Sequence, residues 1–298
     1  MKLFAIILSF LAFTINVFAQ TTDKVAQLVS AENYFSALVK EKGLKKAFLK
    51  VSDENTIVFR PGPVSAVKFY KSQPDTVTAT LQWEPVFAKI SKSGDWGFTT
   101  GPYIYKESDS SLTSHYGSYV SVWKKNHKGI WRLATDLGIP HKKPSKKPEL
   151  LFVNPSNEIF LRQRSQTRLQ QREDVVFSTD KLLSTIQKAD NAIAHKEFLS
   201  DDCQLLFPGF EPIRGKKAIT DFWKKQGFRA NSQVAAADRS YSGELAFTRG
   251  DASIVQKNKI KKYHYVRIWE VQPGFKWNVI LEVYTPAEDG ETKIGVSD

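Results

Sequence analysis

Cysteine and methionine are almost missing from this 298-residue sequence, with one of each. A lone cysteine, Cys203, forms no disulfide within the chain and supplies too few thiolates for a zinc ribbon or an iron–sulfur cluster. The five histidines, His115, His127, His141, His195 and His264, show no ligand spacing, so no metal site is expected. His-Glu-x-x-His, Gly-x-Ser-x-Gly and a phosphate-cradling glycine loop are all absent, which removes sequence support for zincin, nucleophile-elbow and nucleotide-binding readings. No cofactor is implied. The longest apolar run stays below the about 18 residues a helix needs to span a bilayer.

What is present fits a globular protein: 41% hydrophobic and 25% charged residues leave room for a packed core and argue against disorder. The length suits roughly two domains of about 150 residues. The first twenty residues hold Lys2, an apolar stretch from Leu3 to Val17, and Val17-Phe18-Ala19 before Gln20. A basic start, a short apolar run and small residues at the −3 and −1 positions read as a secretory signal cut after Ala19. The expectation is a periplasmic or secreted protein.

The sequence repeats itself. Ser93-Gly94-Asp95-Trp96-Gly97-Phe98-Thr99-Thr100-Gly101 returns as Ser242-Gly243-Glu244-Leu245-Ala246-Phe247-Thr248-Arg249-Gly250, about 150 residues on, a period too long for a solenoid unit and suited to tandem domains. Tyr119-Val120-Ser121-Val122-Trp123 likewise returns as Tyr265-Val266-Arg267-Ile268-Trp269. In each copy a helical three-and-four spacing, carried in the first by Val25, Leu28, Phe35, Leu38 and Val39, gives way to long runs rich in Val, Thr, Tyr and Trp. Helices first and hairpin strands afterwards is α+β order. The expected organisation is a signal peptide over 1–19, a first domain over 20–140, a basic connector over 141–173 and a second domain over 174–290.

The connector holds most of the excess positive charge, with Lys142, Lys143, Lys146 and Lys147 followed by Arg162, Arg164, Arg168 and Arg172 against two glutamates. Asn154-Pro155 is expected to open a helix there, stacking Arg164, Arg168 and Arg172 along one face. Such a strip is either a solvated linker or a dock for an anionic partner, including peripheral contact with the cell envelope.

Trp83-Glu84-Pro85, the first copy of the Ser-Gly-Asp motif through Tyr103, Tyr119 to Lys125 and Trp131-Arg132-Leu133 together resemble the nuclear-transport-factor-2-like superfamily, within it the SnoaL-like branch. The resemblance covers Ala26 to about Gly138 and, more weakly, Asp180 to about Pro286. It implies two cone-shaped domains, each a curved antiparallel sheet wrapped around a long N-terminal helix with a pocket at its mouth, packed as an internal pseudo-dimer. That fold hosts isomerases, cyclases, dehydratases, ligand binders and association modules, so it does not decide function.

Candidate pocket residues are Trp83, Tyr103, Tyr105, His115, Tyr119, Trp123 and Asp136 in the first copy and Arg214, Arg249, His264, Arg267 and Glu282 in the second. Rings favour a flat or apolar ligand; the arginines favour an anionic one. Asp136 and Glu282 recur as acids near the end of the last strand, but strict alternation sets Asp136 opposite Trp131, Leu133 and Thr135 and so away from a core built on those residues. Three function classes stand: an exported binding or association module without catalysis, a cofactor-free isomerase, cyclase or dehydratase, and an envelope adaptor using the connector. Nucleic acid is not an expected partner.

Overall fold

The computed structural model describes residues 23–75, 79–108, 110–287 and 292–293; the expected signal peptide lies outside the described residues. Asp23 caps α1 (Lys24–Val51) by accepting the Ala26 amide, and Leu28, Phe35, Leu38 and Val39 form its buried stripe. Gly43, at φ 80°, interrupts that helix before its last turns, a conformation that suits glycine. Then come β1 (Ile57–Phe59), β2 (Pro63–Ser65), α2 (Ala66–Ser72), β3 (Thr80–Trp83), β4 (Phe87–Ile90), β5 (Trp96–Lys106), β6 (His115–Lys125) and β7 (Trp131–His141). Their sheet runs β2-β1-β7-β6-β5-β4, with β3 beside β5. α1 packs against β3, β4, β5 and β7, enclosing a core of Phe35, Phe48, Val58, Trp123 and Leu133.

The second half repeats this order. It comprises α3 (Gln166–Ala189), α4 (Asn191–Phe198), β9 (Leu199–Leu206), β10 (Ile213–Arg214), α5 (Lys216–Gln226), β11 (Phe228–Arg239), β12 (Leu245–Gln256), β13 (Lys259–Val271) and β14 (Trp277–Pro286). Its sheet runs β10-β9-β14-β13-β12-β11. α3 lies on β11 and β12. The chain is therefore α+β, with one helix-backed sheet in each half. The glycine closing each repeated motif has the same cause in both: a Cβ on Gly101 would run into the Glu84 carbonyl oxygen, and one on Gly250 into that of Gln233.

Two expectations change. No helix opens at Asn154-Pro155: β8 (Leu151–Val153) instead joins the first sheet parallel to β4. The Asn154 side chain accepts from the Val25 amide and donates to Asp23, tying the connector to the start of α1. The helix begins at Gln166 under a Ser165 cap, so Arg164 precedes it and Arg168 and Arg172 lie in its first turns. Strict alternation in β7 also fails. A bulge skips Ala134 between the pairs Val122↔Thr135 and Trp123↔Leu133, and an extra residue reverses the facing of all residues beyond it in the strand. Leu133 packs with α1, whereas Leu137 and Ile139 reach the opposite face, and Asp136 turns into the cone. The same bulge recurs at Ile280 in β14.

The outer faces of the two sheets pack on each other in one apolar cluster. Phe98, Val120, Val122 and Leu137 contribute from the first domain, and their counterparts Phe247, Val266, Ile268 and Val283 from the second. The repeated turns meet reciprocally. Ser93 Oγ lies 2.7 Å from Ser242 Oγ, and each serine hydroxyl also accepts the other residue's amide, at 3.0 and 3.1 Å. The Lys92 amide donates to Glu244 at 2.6 Å and the Tyr241 amide to Asp95 at 3.3 Å. Asp95 and Glu244 are thus residues of the seam between the domains. Mutual contact between equivalent positions is what a two-fold axis produces.

Charge breaks that symmetry. Lys89 and Asp238 occupy equivalent positions, as do Lys124 and Glu270, being paired across their ladders with Phe98 and Phe247, and with Trp96 and Leu245. The seam joins Lys89 to Glu270 at 2.6 Å and Lys124 to Asp238 at 2.8 Å. Both cations come from the first domain and both anions from the second. Like charges would meet in a pairing of identical domains, so this arrangement favours the unlike pair. Lys89→Glu is expected to lower Tm by roughly 2–4 °C, the equivalent of about 1 kcal/mol in a protein of this size. Adding Glu270→Lys recovers most of that in thermal unfolding; a double variant whose loss is only the sum of the single losses would show no coupling.

Candidate functional site

Each domain buries one carboxyl on its long helix. Glu32 follows Leu28 and precedes Phe35 on the buried stripe of α1; Asp180 sits in the same register of α3, between Val176 and Leu183. Glu32 accepts from Trp83 Nε1 at 2.6 Å, Trp123 Nε1 at 2.7 Å and Thr99 Oγ1 at 2.5 Å. Asp180 accepts from Thr248, the counterpart of Thr99, and Trp269, the counterpart of Trp123, donates to that threonine at 2.8 Å. Sequence reasoning missed both acids. Their signal was a carboxyl in the middle of an apolar helical stripe, repeated in both copies.

The two carboxyls differ in what compensates them. Around Glu32 there are donors but no cation among the described hydrogen-bond partners, and burial pushes its pKa up to about 7 against the pull of Thr99, Trp83 and Trp123. Around Asp180 there is Arg267, whose guanidinium donates to Asp180 at 2.6 Å, Glu282 at 2.6 Å and Gln187 at 3.2 Å. Tyr265 donates to Asp180 at 3.0 Å and Tyr284 to Glu282 at 2.8 Å. Arg267 and Asp180 are fully buried and Glu282 nearly so. Despite its burial, the guanidinium is held well above its ordinary pKa by the two carboxylates and Tyr284 and Tyr265.

That arginine lies between α3 and the sheet, with the Tyr265 ring beneath it. Outside it, a polar groove of about 810 Å³ runs between α3 and the sheet, lined by Lys181, Lys188 and Asn231 among others. Ser184 and Ser232, 2.7 Å apart, stand on its wall with Arg267 in reach of both at 3.4 Å.

In the first domain Ser121 stands where Arg267 stands in the second, and the cone is open. A cavity of about 270 Å³ is lined by Phe35, Phe48, Tyr70, Trp83, Tyr103, Tyr105, His115 and Tyr119, with Arg60 and Asp136 as its charged groups. Asp136 accepts from Ser121 at 3.0 Å and Arg60 at 3.2 Å. Burial raises the Asp136 pKa, with Arg60 and Ser121 opposing. Burial also pushes Tyr70 up to about 12 and Tyr119 well above the ordinary phenol value. The Tyr119 hydroxyl is buried beside Thr99, whose own hydroxyl donates to Glu32.

The structure gathers Trp83, Tyr103, Tyr105, His115, Tyr119 and Asp136 around one cavity. Trp123 lies behind it on Glu32. The second-domain candidates do not converge on an anion site as the sequence suggested. Arg267 and Glu282 are packed into the core, and Arg214 faces a separate cavity between the domains. Arg249, next to Thr248 on β12, is on the outer face, and His264 is engaged by Asp251 at 2.6 Å. The cause is the strand period: Arg249 and Arg267, once on paired strands, point to opposite faces. In the connector, Lys142, Lys147, Arg164 and Arg168 are exposed. Lys143 lies over the Tyr116 ring, and the Arg172 carbonyl accepts from Arg239. Among the described residues no group of three or more His, Cys, Asp or Glu side chains is placed to hold a metal ion.

No protein-family model matches the chain, and no curated protein matches it. Among solved structures it is similar to a nuclear-transport-factor-2-like protein from Cytophaga hutchinsonii, with 16% identity over 38% of this chain and 97% of that one, at a TM-score of 0.33. A nuclear transport factor 2 superfamily protein from Salmonella enterica matches at 18% identity over 42% of this chain and 96% of that one, TM-score 0.33. A ketosteroid isomerase-like protein from Erwinia carotovora atroseptica matches at 12% identity over 43% of this chain and 100% of that one, TM-score 0.33. These are likenesses of fold.

Two outcomes are expected from the buried acids. Arg267→Met leaves Asp180 and Glu282 without their cation and costs about 3–5 kcal/mol in urea unfolding, whereas Arg60→Met, beside the open cavity, costs less; equal costs would contradict the difference in burial. Glu32 holds its proton in the folded state up to about pH 7 against 4.5 ordinarily. Its stabilising contribution is therefore complete below about pH 4.5 and is lost as pH rises through about 7. Between those limits the wild-type Tm falls more steeply with pH than that of Glu32→Gln; parallel curves would contradict the assignment.

Proposed function

We propose that this is an exported small-molecule-binding protein whose first domain holds the ligand and whose second domain is a closed copy that supports it. The observation carrying this reading is a difference between the copies: the first holds a ring-lined cavity of about 270 Å³ bordered by Gly138, while in the second the counterpart of Gly138 is the buried Tyr284 ring and the counterpart of Ser121 is the buried, ion-paired Arg267. Cavities near the small end of the ligand-pocket range suit a molecule of one or two rings. The rings supply burial, and the Asp136 carboxyl on the cavity wall supplies orientation. A ligand hydroxyl or amine fits it, because a carboxyl oxygen in a dry site gains from a new donor. Export rests on the leader up to Ala19.

One observation favours a second reading. Asp136 is a carboxyl of raised pKa at the end of a ring-lined cavity, the setting of a general base in cofactor-free isomerisation or dehydration. Native mass spectrometry of the mature protein from its own host tests both. The expected result is one co-purifying small molecule per chain, unchanged in mass on incubation. Leu81→Trp, which blocks the cavity mouth, abolishes it, while Asp136→Asn weakens rebinding about 10-fold. Turnover lost in Asp136→Asn would favour catalysis, and a chain carrying nothing under any condition would remove both readings.

A further inference from the structure

On the outer face of the first sheet, away from the cone, Ser118 Oγ lies 2.9 Å from His141 Nε2. The other ring nitrogen, Nδ1, is 2.6 Å from the Lys142 carbonyl oxygen. A carbonyl only accepts, so Nδ1 carries the hydrogen. In the neutral imidazole Nε2 then keeps its lone pair and accepts the Ser118 hydroxyl. Hydroxyl, base and a third group orienting the base is the arrangement that activates a serine. Both side chains are buried, on adjacent strands held in register by Tyr116↔His141 and Ser118↔Ile139.

The pair borders a cavity of about 160 Å³ between the domains. Gln204 and Arg214 of the second domain and Lys146 of the connector line it too. Among the described residues, none of these three side chains has a hydrogen bond or ion pair. The pair is no leftover of the duplication, because His264 and Ala287 occupy the equivalent positions in the second copy.

We propose that Ser118 and His141 form a nucleophile and its general base, taking the acyl group of a small anionic ester in the cleft between the domains. Ser118 Oγ attacks the ester carbonyl carbon and its proton passes to His141 Nε2. The carbon–oxygen bond to the alcohol then breaks, and the alcohol leaves with that proton. Water attacks the acyl-serine, again giving a proton to Nε2, and the acid departs as the proton returns to Ser118. The Gln204 amide and the Arg214 guanidinium are the donors on the facing wall for the charge that develops on the carbonyl oxygen. The wall also carries one carboxylate, Glu211, which Ser145 engages through its amide and hydroxyl; Arg214 and Lys146 outnumber it and favour an ester bearing a carboxylate or phosphate.

Treating the full chain with diisopropyl fluorophosphate tests this: an Oγ–P bond forms, fluoride leaves, and peptide mass spectrometry places the adduct. The expected result is a label on Ser118 that Ser118→Ala removes and His141→Gln slows by about 100-fold, with an unchanged far-ultraviolet spectrum. The monosuccinate ester of p-nitrophenol is cleaved faster than p-nitrophenyl acetate, and Arg214→Ala removes that preference. A wild-type chain left unlabelled at Ser118, or labelled equally fast in His141→Gln, overturns the proposal. Should Ser118→Ala fail to fold, the wild-type label and His141→Gln decide alone.

Discussion

A carboxyl buried in the middle of a hydrophobic helix is the constraint around which both domains are arranged. Left bare it would be prohibitive, so the sheet must bring donors to it. In each copy a threonine, Thr99 on β5 or Thr248 on β12, donates to that acid; Trp123 donates to Glu32 directly, whereas Trp269 donates to Thr248 and so backs it, and this ties the helix to one register on the sheet. The copies part company over charge. The second sets an arginine between its two acids, and Arg267 pairs with both Asp180 and Glu282. The first surrounds Glu32 with neutral donors alone and holds it near neutrality in pKa, while its other acid, Asp136, meets Arg60 and Ser121 beside an open cavity.

The divergence is tolerable because the two domains share their outer faces. Each covers an apolar sheet surface that the other would otherwise expose, and the contacts between equivalent residues follow a local two-fold symmetry. Fusion into one chain lets the halves specialise without losing the partner. The segregation of lysines and acids across the seam records that specialisation. The connector is part of the architecture too: β8 extends the first sheet, Asn154 anchors the start of α1, and Lys146 lines the cavity between the domains.

Much of the architecture was legible because the duplication wrote it twice. Helix stripes, the change to strand patterning and the repeated Ser-Gly-acid turn gave the element order. The aromatic residues and Asp136 that line the first cavity stood out by composition and recurrence. What strand period could not supply was facing across the bulges at Ala134 and Ile280, since one extra residue inverts everything beyond it. Nor could one-dimensional reading show that Arg267 points inward while Arg249 points outward, or that Ser118 and His141, widely separated in sequence, become neighbours. Glu32 and Asp180 were visible as interruptions of a stripe, but their meaning depends on donors from distant strands.

Of two cones built alike, the first holds a ring-lined cavity and the second buries Arg267 and Tyr284 at the matching positions, and the proposed function rests on that asymmetry. Crystals soaked in phenol, a single ring with one hydroxyl, test it directly. Difference density is predicted inside the first cone, with the hydroxyl towards Asp136, and none inside the second. Phenol bound in both cones, or only beside Arg267, would contradict it.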